Sequence, residues 1–280
     1  MKKAIAAATA LLVAALLVHA ARHGAGNRDE RRGLRVVALA PSLCETVFAL
    51  GAGDSLVGVT EFCDRPEEAK RIPRVGSMVS PSVERILMLR PDVVLATRTG
   101  GNRRETAAAL ERAGIRTLAV DDSSIEALGE AFERIGKLLG REKEAERLRR
   151  SLEEAAGEAA RAAGRWRGRR AVWLVGFDPP FAAGRGTLYD DITARLGMAN
   201  ALEARGWREV SAEWLLLSPP DVVFDISGAE RGDWKRRLGA MPRGTAWLTL
   251  PQDDLARPGP GLVRGLRELA RALEEAEPCR

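Results

Sequence analysis

At 280 residues the chain holds about two domains' worth of polypeptide, and 45% hydrophobic with 30% charged residues is enough for two packed cores. The formal net charge of +5 includes Lys2 and Lys3 at the N-terminus, and the remaining excess is spread along the chain, a balance that does not call for nucleic acid. His19 and His23 are the only histidines and both precede the first predicted strand, so Ser-His-Asp triads, His-rich zinc sites and His-ligated haem have no residue to use in the folded body.

Lys2-Lys3 is followed by an apolar run from Ala4 to Val18 and then by Val18-His19-Ala20. A basic start, a short apolar stretch and a small-residue cleavage site predict a secretory signal over residues 1–20. A membrane span needs ~20 apolar residues, so a retained single-helix anchor is the lesser reading. The first cysteine is Cys44, which leaves none near the cleavage site for a lipid anchor. The expectation is an exported, soluble protein of the periplasm.

Strands are predicted at Arg35–Ala40, Leu56–Thr60, Val93–Thr97 and Arg116–Val120, separated by helices near Leu43–Leu50, Val83–Arg90 and Arg104–Ala113. Cys44 would then open a helix and Cys63 follow the second strand, both at one sheet edge. In an oxidising compartment they stand either as a bridge or as two buried thiols, with Cys279 left over at the tail. Ser123-x-x-Glu126 reads as a capping box opening a helix to about Leu139. Arg141 to Gly164 contains no proline, and Ala145, Leu148, Leu152, Ala155 and Ala159 fall on one helical face. A helix over this stretch would reach ~36 Å, the length of a two-lobe body. Two leucines make a weak coiled-coil seam, so the helix is expected to pack along its own lobes and permit only small hinge motions. Further strands are predicted at Ala171–Val175, Val222–Ile226 and Ala246–Leu250, with helices near Leu188–Leu196, Ala212–Leu217 and Gly261–Glu275.

The chain also repeats itself. Ser82-Val-Glu-Arg-Ile-Leu-Met-Leu-Arg-Pro-Asp-Val-Val-Leu95 aligns without a gap to Ser211-Ala-Glu-Trp-Leu-Leu-Leu-Ser-Pro-Pro-Asp-Val-Val-Phe224 at an offset of 129 residues. Each copy reads as a short helix, a Pro-Asp stop and a buried parallel strand. An offset this long indicates two similar lobes rather than a solenoid. The fold class is therefore α/β, two similar lobes with parallel sheets joined by a long rigid backbone helix, with a ligand cleft between the lobes. The lobes are expected at residues 34–122 and 170–276, with the connecting helical segment at 123–166.

Signal, lobes and connector together resemble the helical-backbone metal-receptor family, the class III substrate-binding proteins of ABC importers for cobalamin, haem and iron-siderophores. Within it the chain looks most like the periplasmic cobalamin-binding proteins, over residues 34 to 276. The matching stretches are Ala40-Pro-Ser-Leu-Cys-Glu-Thr-Val-Phe-Ala-Leu-Gly51, Val57-Gly-Val-Thr-Glu-Phe-Cys-Asp-Arg-Pro66, Val83-Glu-Arg-Ile-Leu, Gly176-Phe-Asp-Pro-Pro-Phe181 and Gly206-Trp-Arg-Glu-Val-Ser211. The resemblance implies a monomeric carrier without catalytic residues, resident metal or cofactor, which delivers a metal chelate, a corrinoid first, to a permease dimer in the inner membrane. It places the permease-docking glutamates at Glu84 and Glu213, equivalent positions of the internal repeat. It also implies ligand contacts at Phe62, Met78, Phe181, Trp207 and Asp253. Met78 and Thr97 stand where the cobalamin binders carry aromatics, and Asp254 likewise replaces an aromatic.

Cobalamin brings its own axial base and siderophores their own iron ligands, so the missing histidines favour ready-chelated metals. Haem would need Tyr189, a Met or a Cys as axial ligand, and Tyr189 falls in the first turns of a helix. The remaining motifs are weaker: Asp190 or Asp191 as carboxylates of an exported hydrolase, Gly184-Arg-Gly-Thr187 as an anion loop, and the Arg165–Arg170 cluster around Trp166 as an anionic-surface patch.

Overall fold

The computed structural model describes residues 33–98 and 103–277, so the signal at 1–20, both histidines and Cys279 lie outside the described residues. Two sheets carry the architecture. In the first, β1 (Val36–Ala38), β2 (Leu56–Val59), β3 (Val93–Thr97) and β4 (Arg116–Val120) lie in the order β2-β1-β3-β4, all parallel. β1 and β3 are apolar on both faces because helices cover both. Leu43, Val47 and Leu50 pack on one side with β1 and β3, while Ile86, Leu110 and Val75 fill the other.

The second sheet has a parallel centre of β10 (Ala246–Thr249), β9 (Val222–Asp225) and β5 (Arg170–Val175), with the short β7 (Ala199–Asn200) pairing β5 in parallel. Beyond β5 it continues antiparallel through β6 (Phe181–Ala183) and β8 (Trp207–Glu209), which periodicity had not indicated. Trp173, Tyr189 and Phe224 form its aromatic centre, with Trp173 ring centroids 5.1 Å from Tyr189 and 4.5 Å from Phe224.

The connector is a helical hairpin, Ile125–Leu139 followed by Glu142–Ala162, turned by Gly140 at φ 65°. That left-handed conformation is one that glycine adopts without a Cβ penalty. The expected stripe is buried, Ala145, Leu152, Ala155 and Ala159 fully, and Leu148 partly buried where the cores of the two lobes meet. The longer helix packs on Ile125–Leu139 and on the C-terminal helix Leu262–Glu275, so its seam is filled by its own chain. The cap at the start of Ile125–Leu139 differs from the expected capping box. Ser124, not Ser123, is the N-cap and accepts from the Ala127 amide. The Ser123 amide is drawn instead to Asp121 Oδ1, and Asp191, 66 residues away, accepts from the Ile125 amide.

The internal repeat is structural. Helices Val83–Met88 and Ala212–Leu217 are capped by the Ser82 and Ser211 hydroxyls, which accept from the Arg85 and Trp214 amides at 3.3 and 3.2 Å. Each helix buries one anchor, Ile86 or Leu215. Asp92 and Asp221 then accept from the Arg35 and Arg170 amides at 2.7 and 2.6 Å, tying the stop after each helix to the first strand of its own sheet.

Candidate ligand-binding site

Parallel α/β sheets gather their loops at the carboxyl ends of the strands, where ligands enter. Here three adjoining cavities of about 350, 320 and 210 Å³ share walls between the lobes. The largest is predominantly apolar, with Pro41, Met78 and Thr97 from the first lobe facing Tyr189, Trp207 and Arg257 from the second. The next is walled by Phe62, Met78 and Asp253, and Met78 and Arg257 belong to both. A larger depression of about 580 Å³ lies over the backbone helix, but its charged lining, from Lys143 to Glu154, comes from that helix alone.

Four of the five predicted contact residues therefore meet at one groove: Met78 and Trp207 in the main cavity, Phe62, Met78 and Asp253 in its neighbour. Phe181 does not line these cavities. It pairs with Glu209 in the β6–β8 ladder and so shares a sheet face with Trp207, two positions along the adjacent strand. Phe62 and Trp207 are both exposed, as ligand-facing rings require. The Trp207 indole is held edge-on against the Tyr189 ring, centroids 5.4 Å apart at 70°, a geometry worth ~0.5–1.5 kcal/mol beyond area burial.

Tyr189 is committed to the core. It is buried, its hydroxyl donates to the Leu255 carbonyl at 2.6 Å, and burial followed by the nearby Asp122 charge pushes the phenol up. The two cysteines are buried free thiols, with Thr60 Oγ1 3.3 Å from Cys63 Sγ. The neighbouring Cys63 side chain, ahead of burial, pushes the Cys44 thiol up.

Arg257 had no signal in the sequence. It crosses the cleft mouth to Glu45 Oε1 at 3.0 Å and Asp64 Oδ1 at 2.7 Å. Arg65 reaches back to Asp253 and, at 3.8 Å, to Asp254, which Arg264 also holds at 2.7 Å. Asp253 is thus a paired carboxylate. Burial pushes Glu45 above its ordinary range against the pull of Arg257, whereas the Arg257 hydrogen bond holds Asp64 below its own.

The weaker motifs have structural employment. Asp190 accepts from the Gly186 amide at 2.9 Å and from Asn200 at 3.0 Å, and Asp191 from Arg195 at 2.8 Å, so neither is presented as a catalytic carboxylate. In the Gly184–Thr187 loop, Asp190 takes the Gly186 amide and the Thr187 hydroxyl donates to the Gly184 carbonyl. Trp166 is buried with its indole N–H on the Leu273 carbonyl at 3.0 Å, which makes it core rather than a stacking platform.

Two α/β lobes on a helical backbone, with an apolar groove between them, are the architecture of a two-lobed binding protein. The family model described as "Periplasmic binding protein" matches residues 36–233, and the chain belongs to that family. It is 26% identical over 249 residues to the vitamin B12-binding protein of Photorhabdus laumondii, covering 86% of this chain and 88% of that one. It is 29% identical over 264 residues to the uncharacterized ABC transporter substrate-binding lipoprotein YvrC of Bacillus subtilis, covering 89% and 83%. Among solved structures it resembles the apo periplasmic heme-binding protein RhuT of Roseiflexus sp. RS-1, with TM-score 0.72 and 27% identity over 87% of this chain and 99% of that one. No helix among the described residues is long and apolar enough to cross a membrane.

Proposed function

We propose that this protein is the exported substrate-binding subunit of an ABC importer, which captures a metal chelate, a corrinoid first, in the interlobe groove and delivers it to a membrane permease. The observation that carries the reading is the groove itself: Trp207 and Met78 approach from opposite lobes across a mainly apolar cavity of about 350 Å³. A flat ring system buries two broad apolar faces, which suits an indole on one side and an adaptable thioether on the other. Phe62 and Phe181 extend these walls in the proposal. Asp253, already paired with Arg65, would accept from amide groups at the rim. Glu84 and Glu213, exposed on equivalent helices, would dock the two lobes onto basic residues of the permease. Exposed ion pairs are worth only ~0–1 kcal/mol each, which suits a carrier that must leave.

Haem is the second reading, favoured by the likeness to RhuT. The groove supports it less. Tyr189 has its hydroxyl on a carbonyl and the thiols of Cys44 and Cys63 are buried, so Met78 is the one soft donor exposed in the groove among the described residues. An iron-siderophore brings its own ligands and fits the same logic.

Titration of tryptophan fluorescence with cyanocobalamin, cobinamide, haemin and a ferric siderophore tests the reading, with inner-filter correction because these ligands absorb strongly. All six tryptophans lie from Trp166 onward, so the second lobe reports entry. The expected result is saturable 1:1 quenching by a corrinoid, weakened at least about tenfold in Trp207→Ala, the loss typical of a central aromatic anchor. Saturation by haemin or the siderophore moves the specificity, and silence from all four removes the chelate-carrier reading.

A further inference from the structure

Nine large apolar side chains are exposed among the described residues. Three of them, Phe62, Met78 and Trp207, line the groove, while Val79 follows Met78 in the chain and Phe181 shares a sheet face with Trp207. The other four are Leu87 and Met88 on one short helix and Leu216 and Leu217 on the other, and they are the same positions of the internal repeat. Their exposures match as well: 37% and 38% for Leu87 and Leu216, 75% and 81% for Met88 and Leu217. In each helix the pair stands three and four residues after the glutamate, on the face that Glu84 or Glu213 occupies. Both helices bury their opposite side through Ile86 or Leu215. Each lobe thus offers one carboxylate beside two uncovered apolar side chains, and the two lobes offer the same surface twice.

From this we infer that Leu87 with Met88 and Leu216 with Leu217 form a two-fold-matched apolar docking surface for a membrane permease built of two equivalent halves, each presenting an apolar pocket beside a basic residue. The inference rests on the importer reading and assigns the affinity of docking to these four side chains, leaving the glutamates to set register. A duplicated surface on one chain calls for a duplicated complement, which a partner of two equivalent halves supplies. A second copy of this chain would set glutamate against glutamate, and an anionic lipid surface would meet the same carboxylates, both repulsive juxtapositions. Two weak patches engaged together give avidity that neither has alone.

The test is surface plasmon resonance of the full mature chain against the source organism's two-fold chelate-importer permease with its ATPase subunits in lipid nanodiscs. Met88→Ser with Leu217→Ser is expected to weaken binding at least about tenfold, and adding Leu87→Ser with Leu216→Ser further still. Met88→Ser or Leu217→Ser alone should give an intermediate loss. Ligand titration and melting temperature of the same variants, all at exposed positions that do not line the groove, should match wild type and establish that they fold. Binding of the double serine variant within twofold of wild type, while Glu84→Gln with Glu213→Gln loses binding, overturns the inference and leaves the importer reading standing. Wild type that binds chelate and not the permease overturns the docking inference, and wild type that binds neither removes both readings. A wild-type dimer in sedimentation that the serine variants abolish gives the surface to a second copy and likewise overturns it.

Discussion

Tyr189 shows how one buried group separates two ligand classes. As the sole tyrosine it is the natural candidate for iron ligation, yet its hydroxyl donates to the Leu255 carbonyl and its ring supports Trp207. With the phenol pushed up by burial, the proton stays where the carbonyl needs it. Tyr189→Phe removes the donor, leaves the ring, and strands a buried carbonyl, a loss of ~1–3 kcal/mol. The expected outcome is a melting temperature lower by about 2–12 °C with ligand affinity within about twofold of wild type. Calorimetric melting and the fluorescence titration check it. A collapse of haemin affinity with unchanged melting temperature would instead make the hydroxyl an iron ligand.

At the scale of elements, the helical hairpin poses a conflict whose winner is set by magnitudes. Gly136 lies inside Ile125–Leu139, where alanine would gain ~0.8–1.0 kcal/mol of helix propensity. A Cβ there, however, would fall within 2.5 Å of the Ala145 methyl and 3.0 Å from the Arg141 carbonyl oxygen. Backbone on one side and a packed helix on the other leave nothing flexible to yield, and overpacking costs ~1–3 kcal/mol. Gly136→Ala is therefore expected to destabilise by about 1 kcal/mol net despite its better propensity, read as a lower urea midpoint with unchanged slope. A raised midpoint would show that the hairpin opens without penalty.

The same scale explains what could be read from sequence. Val93–Thr97 and Ala212–Leu217 form as expected because the first is a nearly continuous apolar segment and the second is capped, each with its own stop signal. β6 and β8 are three residues each and exist only because they pair with each other and with β5, so no local period announces them. The helix Arg231–Leu238 buries only Trp234 and Leu238, too little to make a stripe. Two adjacent serines competed for one cap, and Asp191 from a distant helix favours the second. In the groove, Phe62, Met78, Trp207 and Asp253 came through family resemblance. Arg257 was invisible, since its partners Glu45 and Asp64 lie 212 and 193 residues away.

Across the whole molecule, the backbone helix and the charged cluster at the cleft mouth act on the same coordinate, the spacing of the lobes. The helix packs on the cores of both lobes through Leu148, and Arg257 and Arg65 join the lobes on one side. The two acids on Arg257 titrate in opposite senses. Glu45, pushed up by burial, binds its proton more tightly folded than unfolded, so its ionised form costs stability at neutral pH and that cost fades as pH falls through its raised value. Asp64, held down by Arg257, contributes stability above the ordinary aspartate value of ~3.9 and loses it as pH falls through its lowered one. Glu45→Gln, which keeps an acceptor for Arg257, should melt at or above wild type at neutral pH. Asp64→Asn should melt lower there, by no more than about 2 °C because the carboxylate is half exposed and screened, and the gap should close once the pH falls below the lowered Asp64 value. Melting curves of the three proteins at neutral and strongly acidic pH decide the matter. A Glu45→Gln protein that melts well below wild type at neutral pH would mean that the ion pair outweighs the desolvation of its carboxylate, and that the lobes are held together by charge rather than merely aligned by it.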